Sequence, residues 1–165
     1  MSAEAPVLHI ICGKVAAGKS TLANKLADQP RTVLIAEDTW LDRLYGDQMS
    51  TLADYVRFSA KLREAMADHV ANLLRAGVSV VLDYPANTVE TRQWMRTLVE
   101  ETKVAHQLHL LMPSDEVCLQ RLHQRNASGT HPFAVTDEQF HKISKHFAPP
   151  TAEEGFHIVH HDAAT

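Results

Sequence analysis

The chain has 165 residues, 45% of them hydrophobic and 22% charged, with a formal net charge of −4. That length predicts one domain over residues 1–165 and leaves no room for a second core, while the acidic balance argues against a general nucleic-acid binder. Two cysteines suggest neither a disulfide framework nor a metal knuckle, and no basic leader or bilayer-length apolar stretch is present, so a cytoplasmic protein without membrane contact is expected.

Val7 to Cys12 is a short apolar run that predicts a buried strand. It leads into Gly13-Lys14-Val15-Ala16-Ala17-Gly18-Lys19-Ser20-Thr21, which fits the phosphate-binding pattern of Gly, four residues, Gly-Lys-Ser. Glycines let successive backbone N–H groups turn inward around phosphates, Lys19 adds a point charge for the β- and γ-phosphates, and the Ser20 hydroxyl is a candidate Mg²⁺ ligand. Ser20 to Ala27 reads as a helix with Leu22 and Leu26 on one face, so the loop precedes a helix N-terminus, where the dipole favours anions.

A second strand is predicted over Thr32 to Ala36, followed at once by Glu37 and Asp38. Functional groups in a parallel sheet gather at the carboxyl ends of its strands. Asp38 is therefore the candidate general base for an attacking hydroxyl, Glu37 is the second candidate, and a helix cap for Thr39 onward is the purely structural reading of Asp38. The longest helix should run from about Leu52 to Ala76, with an apolar stripe of Leu52, Val56, Leu62, Met66, Val70 and Leu73, and end at Gly77. Its Arg57, Lys61 and Arg63 read mainly as surface charges, with acceptor binding as the alternative.

The third strand, Ser79 to Asp83, is a hydrophobic run closed by an acid, the form of a Walker B segment, so Asp83 is the second candidate Mg²⁺ ligand. The next helix should open at Asn87 or Thr88, with Asn87 and Glu90 spaced as a capping pair. A fourth strand is expected over Gln107 to Met112, where His109 reads as a packed or rim residue. After it comes a helix capped by Ser114 that carries Arg121 and Arg125 on one face. These arginines lead into an irregular, lid-like segment at about 126–135 and are candidates for neutralising a transferring phosphoryl group. Thr136 with Gln139 forms a capping box, Pro149-Pro150 breaks that last helix, and Phe156 to His160 is the fifth strand. His157, His160 and His161 lack the partners of a transition-metal site. Strands alternating with helices point to an α/β fold built on a parallel sheet.

The loop Gly13 to Thr21, Asp38, Leu82-Asp83-Tyr84-Pro85 and Arg121-Leu122-His123-Gln124-Arg125 together resemble the small P-loop kinases. That group includes gluconate, shikimate and adenylate kinases, polynucleotide kinase, chloramphenicol phosphotransferase and zeta toxins. More closely, Leu82 to Thr88, Arg125-Asn126, His131-Pro132-Phe133, Pro149-Pro150 and Glu154-Gly155-Phe156 are similar to the zeta-toxin-like, AAA_33-type ATP-binding proteins. The resemblance implies a three-layer fold with strand order 2-3-1-4-5, a Mg·ATP donor, a lid and a hydroxyl acceptor activated by the acid after strand two. Adenylate kinases carry an Arg after the Tyr-Pro position, where Ala86 stands here, which argues against a nucleoside monophosphate acceptor and leaves Arg92 as a possible substitute.

The expectation is an ATP-dependent phosphotransferase acting on a small-molecule hydroxyl, with no obligatory protein partner. Two alternatives stand beside it: a nucleotide-gated binding protein or slow ATPase acting on a protein, and a 5′-hydroxyl nucleic-acid kinase.

Overall fold

In the computed structural model, residues 4–129 and 134–161 are described. The order of elements is β1 (Val7–Cys12), α1 (Lys19–Ala27), β2 (Thr32–Ala36), α2 (Glu37–Tyr45), α3 (Leu52–Arg75), β3 (Ser79–Asp83), α4 (Val89–Thr102), β4 (Ala105–Leu111), α5 (Asp115–Ser128), α6 (Asp137–Ser144), a 3₁₀ turn (Ala152–Glu154) and β5 (Ile158–His161). The five strands form one parallel sheet in the order β2-β3-β1-β4-β5, as the resemblance implied. Because all strands run the same way, Cys12, Ala36, Asp83 and Leu111 end along one edge.

Alternate residues of β1 bury on opposite faces. Leu8, Ile10 and Cys12 join Val80, Leu82, Leu108 and Leu110 in the main core against α3 and α4. Ile11 and Val81 pack on the other face against Ala23, with Leu22 and Leu26 closing over them. A smaller cluster of Ala17, Cys118, Leu122 and Phe140 seats the loop after β1 on α5 and α6. Both cysteines are free and buried.

The stripe expected on α3 holds only over its second half. Leu62, Met66 and Val70 are buried, whereas Val56 is 64% exposed, and Phe58 and Ser59 turn inward instead. The reason is length. The 24 residues of α3 rise about 36 Å, while the five residues of β3 rise about 17 Å. The short link at Gly77 fixes the end of α3 beside the start of β3, so its N-terminal half projects past the sheet.

The alternative reading of Asp38 as a helix cap is not met: α2 starts directly from β2 with Ala36 at its N-cap and no side-chain cap, and Asp38 is its second residue, in the turn where the dipole favours negative charge. One capping expectation is corrected. Thr88, not Asn87, caps α4, its hydroxyl accepting from the Thr91 N–H. Ser114 and the Thr136–Gln139 box cap their helices as read. Helix α6 ends at Ser144, before the prolines that were expected to break it.

Of the segment expected to be irregular over 126–135, Asn126, Ala127 and Ser128 belong to α5 instead. His131, Pro132 and Phe133 lie outside the described residues.

His109 is buried, in keeping with the packed reading, and it has company. Its Nε2 lies 3.0 Å from His9 Nδ1 and its Nδ1 lies 2.8 Å from His161 Nε2. Three imidazoles thus run across β1, β4 and β5. Burial, with its two histidine neighbours, pushes His109 down to about 4. Among the described residues no cluster of three or more His, Cys, Asp or Glu side chains is arranged to hold a metal ion, and no helix is long and apolar enough to cross a membrane.

Candidate active site

The loop after β1 turns on two left-handed residues, Ala16 at φ 62° and Gly18 at φ 103°. A side chain at Gly18 would be strained by that angle. Gly13 is needed for a different reason: a Cβ there would stand 3.0 Å from the Leu111 carbonyl and 3.1 Å from the Ala17 Cβ. Val15 and Ala16 pack on the cluster beneath the loop. Lys14 turns away, its Nζ paired with Asp115 Oδ1 at 2.8 Å, so only its backbone faces the loop interior. Thr21 is exposed on the first turn of α1.

Lys19 folds back across the loop and donates to the Gly13 carbonyl at 2.6 Å and the Lys14 carbonyl at 2.8 Å. Desolvation lowers its proton affinity, opposed chiefly by the charge of Asp83 and also by Asp38. Ser20 Oγ donates to Asp83 Oδ2 at 2.9 Å, which joins the start of α1 to the end of β3. The two residues read from sequence as Mg²⁺ ligands, 63 positions apart in the chain, therefore meet. A hydroxyl and a carboxylate side by side, next to a lysine held on a glycine loop, form an oxygen donor set suited to a hard divalent cation carried by phosphate.

Helix α5 carries Arg121 to the glycine loop and Arg125 within the electrostatic reach of Asp38. Arg121 Nη1 donates to the Ala17 carbonyl at 3.1 Å and passes 3.6 Å from where a Cβ on Gly18 would stand. Arg125 is partly buried, its Nε has no hydrogen-bond partner among the described residues, and the charge of Asp38 supports its ionised form against desolvation. Asp38 therefore acts electrostatically on both Lys19 and Arg125.

Glu37 and Asp38, adjacent in sequence, have separate surroundings. Glu37 is 2% exposed. One of its carboxylate oxygens accepts from the Tyr55 hydroxyl and the other from Ser59 Oγ at 3.0 Å. Burial pushes it up to about 7, with the charge of Asp38 adding to the shift and the two hydroxyl bonds opposing it. Asp38 is only partly buried.

Arg92 is not placed to bind an acceptor. It is fully buried, with Nε and Nη2 on the Glu154 carboxylate at 2.7 and 3.3 Å and Nη1 on the Ala86 carbonyl at 3.0 Å. Its donors tie α4 to the 3₁₀ turn before β5. Of the α3 cations, Arg57 and Lys61 lie over the Phe58 ring, while Arg63 donates to Thr91 Oγ1 at 3.1 Å and lines a cleft of about 420 Å³ with Glu64, Glu90 and Trp94.

Asn87 is the site residue that sequence reading placed wrongly. Its Oδ1 accepts from the Gly13 N–H at 2.9 Å and its Nδ2 donates to the Gly13 carbonyl at 2.7 Å, while its own carbonyl accepts from Ala148 N at 2.8 Å. The signal available was its place four residues after the acid that ends β3. That position puts a short polar side chain at the edge where the glycine loop begins.

With this geometry in view, comparison with known proteins is informative. The family model described as an AAA domain, AAA_33, matches residues 8–150. Among solved structures, the chain is similar to a candidate kinase from Chloroflexus aurantiacus, with 21% identity, a TM-score of 0.78 and coverage of 98% of this chain and 87% of that one. It is also similar to a sugar kinase from Janibacter sp. HTCC2649, at 17% identity, TM-score 0.62 and coverage of 95% and 86%. A fungal RNA kinase matches at 13% identity and TM-score 0.64, over 100% and 78% of the two chains. No curated protein matches the sequence significantly. At these identities the structural likenesses establish the fold.

Proposed function

Because the chain belongs to the AAA_33 family of P-loop kinase-like proteins, we propose that it transfers the γ-phosphate of Mg·ATP to a hydroxyl of a small-molecule acceptor. The observation that carries this reading is the meeting of Ser20 and Asp83 at 2.9 Å beside Lys19, with Asp38 close enough to act on Lys19 and Arg125. Phosphoryl transfer needs little covalent help from the protein and mainly asks for positioning and charge.

With the Gly13 N–H held by Asn87 and the Ala17 N–H by the Lys14 carbonyl, the other backbone N–H groups of the loop up to Ser20 cradle the phosphates, and Lys19 exchanges its bonds to the Gly13 and Lys14 carbonyls for phosphate oxygens. Ser20 and Asp83 would hold a Mg²⁺ ion carried by ATP, which would supply positive charge to offset that of the phosphates. Asp38 takes the proton of the acceptor hydroxyl as its oxygen bonds to the γ-phosphorus, and the bond to the β,γ-bridging oxygen breaks with its electron pair leaving on ADP. Arg121 and Arg125, carried by α5, offset the charge that spreads over the transferring group.

One observation favours a small acceptor without a phosphate of its own. Arg92, which could have met such a phosphate, is spent on Glu154. The net charge of −4 weighs the same way against an RNA acceptor.

The test is transfer of labelled γ-phosphate from Mg·ATP to pooled sugars, nucleosides, antibiotics and oligonucleotides, with Lys19→Ala as control. A labelled small product absent from the control supports the reading. A labelled oligonucleotide shifts the acceptor to nucleic acid, and tight Mg·ATP binding without any product shifts the function to a nucleotide-gated binder.

A further inference from the structure

Glu37 has no part in the mechanism above, yet it is a buried acid next in sequence to the proposed base. Both its oxygens are engaged by α3, through Tyr55 and Ser59. As a mere clamp between α2 and α3 a carboxylate is a poor choice, because its desolvation opposes burial and an amide or an apolar contact would hold the helices at lower cost. Its placement has another consequence. Glu37 is the first residue of α2 and Asp38 the second, so fixing the Glu37 side chain fixes the helical turn on which Asp38 stands.

We propose that Glu37 is a positioning residue for Asp38: gripped by Tyr55 and Ser59, it orients the first turn of α2 and, when ionised, strengthens the neighbouring carboxylate as a base. This rests on Asp38 being the base of the proposed transfer. A second negative charge nearby makes an acid hold its proton more tightly, and the coupling acts equally on both members of the pair.

The groups around Glu37 are compatible with such coupling. From α2 it faces Asp38, and from α3 the Tyr55 and Ser59 hydroxyls and the more distant charge of Arg63. From the turn after β3 it faces Tyr84, whose fully buried hydroxyl lacks a hydrogen-bond partner among the described residues and whose ionisation is opposed by the charge of Glu37. Its two direct partners are hydroxyl donors, which suit the ionised form. Burial and Asp38 suit the neutral form. The balance lies near neutrality, where a small change in surroundings alters the charge beside Asp38.

The test is a ¹³C-carboxyl NMR titration of Asp38 in the full chain, which needs no acceptor. In the wild type the Asp38 signal should show two inflections, the upper one coinciding with titration of Glu37. In Glu37→Gln the upper inflection should vanish and the lower one stay in place, because Glu37 is already protonated where Asp38 itself titrates. In Tyr55→Phe, which removes a donor that favours the ionised form, the upper inflection should move to higher pH, and this variant serves if Glu37→Gln fails to fold. An Asp38 titration identical in all three proteins overturns the proposal.

Once an acceptor is known, Glu37→Gln should lower kcat above neutral pH about 10-fold and flatten the limb of the pH profile that rises near pH 7 as Glu37 ionises, with KM for ATP unchanged. A purely structural Glu37 would lower Tm without moving that limb. Coupled titration without transfer to any pool would count against the kinase reading alone, and transfer with uncoupled titration against this inference alone.

Discussion

The Asn87 amide brackets Gly13, accepting from its N–H at 2.9 Å and donating to its carbonyl at 2.7 Å. The first residue of the glycine loop is thereby pinned to the turn between β3 and α4. The same asparagine accepts from Ala148 N, so one residue joins the loop to the strand that supplies Asp83 and to the segment leading toward β5.

Asn87→Ala should weaken Mg·ATP binding about 10-fold, since the Gly13 N–H loses its partner, its carbonyl keeps only Lys19, and the loop loses its fixed start. Asn87→Asp should weaken it as much or more, because a carboxylate cannot donate to the Gly13 carbonyl and adds negative charge beside the phosphates. Titration calorimetry with an ATP analogue measures both. Unchanged affinity in both variants would mean that the loop holds its shape without this bracket.

Arg92 and Glu154 make an interior ion pair, with Arg92 at 0% and Glu154 at 16% side-chain exposure. Removing one partner leaves the other's charge without compensation, so Arg92→Met should cost roughly 3 kcal/mol of stability and lower Tm by about 10 °C. The double variant Arg92→Met with Glu154→Gln should recover part of that loss. KM for the acceptor should stay constant in the folded protein. A changed KM with unchanged Tm would restore Arg92 as an acceptor residue.

Asp38→Asn should lower phosphoryl transfer at least about 100-fold and leave Mg·ATP affinity within about 2-fold, since an amide keeps the shape and loses the basicity. Ser20→Ala or Asp83→Asn should instead raise the Mg²⁺ concentration needed for half-maximal ATP binding, because the first removes an oxygen and the second the negative charge from the pair that meets at the end of β3. Titrating ATP binding against Mg²⁺ separates the two classes of defect.

Two buried groups should bend stability against pH in opposite directions. His109 is held down to about 4 from 6.5, so the stability tied to its neutral form is complete above 6.5 and lost as pH falls toward 4. Glu37 is held up to about 7 from 4.5, so the stability tied to its protonated form is complete below 4.5 and lost as pH rises toward 7. The two effects offset in the wild type. Relative to it, Glu37→Gln should lose stability more steeply between pH 7 and 4, and His109→Gln should gain stability on acidification over the same range. Denaturant melts at three pH values decide the matter, and parallel pH profiles for all three proteins would show that neither group is linked to folding.

The sequence by itself determined the loop, its place between strand and helix, the five strands to within two residues, and the α/β class. Glycine spacing and short apolar runs are local signals that report directly on backbone geometry. It also marked Ser20 by the glycine-loop pattern, Asp38 and Asp83 by their place at strand ends, and Arg121 and Arg125 by their helical spacing.

Only the tertiary structure decided what each polar group is spent on. Asn87 reads as a cap until Gly13 is brought beside it, Arg92 reads as available until Glu154 closes on it, and Glu37 and Asp38 read as interchangeable until α3 covers one of them. Local spacing cannot show these outcomes, because burial and hydrogen-bond partners come from residues tens of positions away. Those two quantities set whether a charged group binds a ligand, moves a proton or holds the fold together.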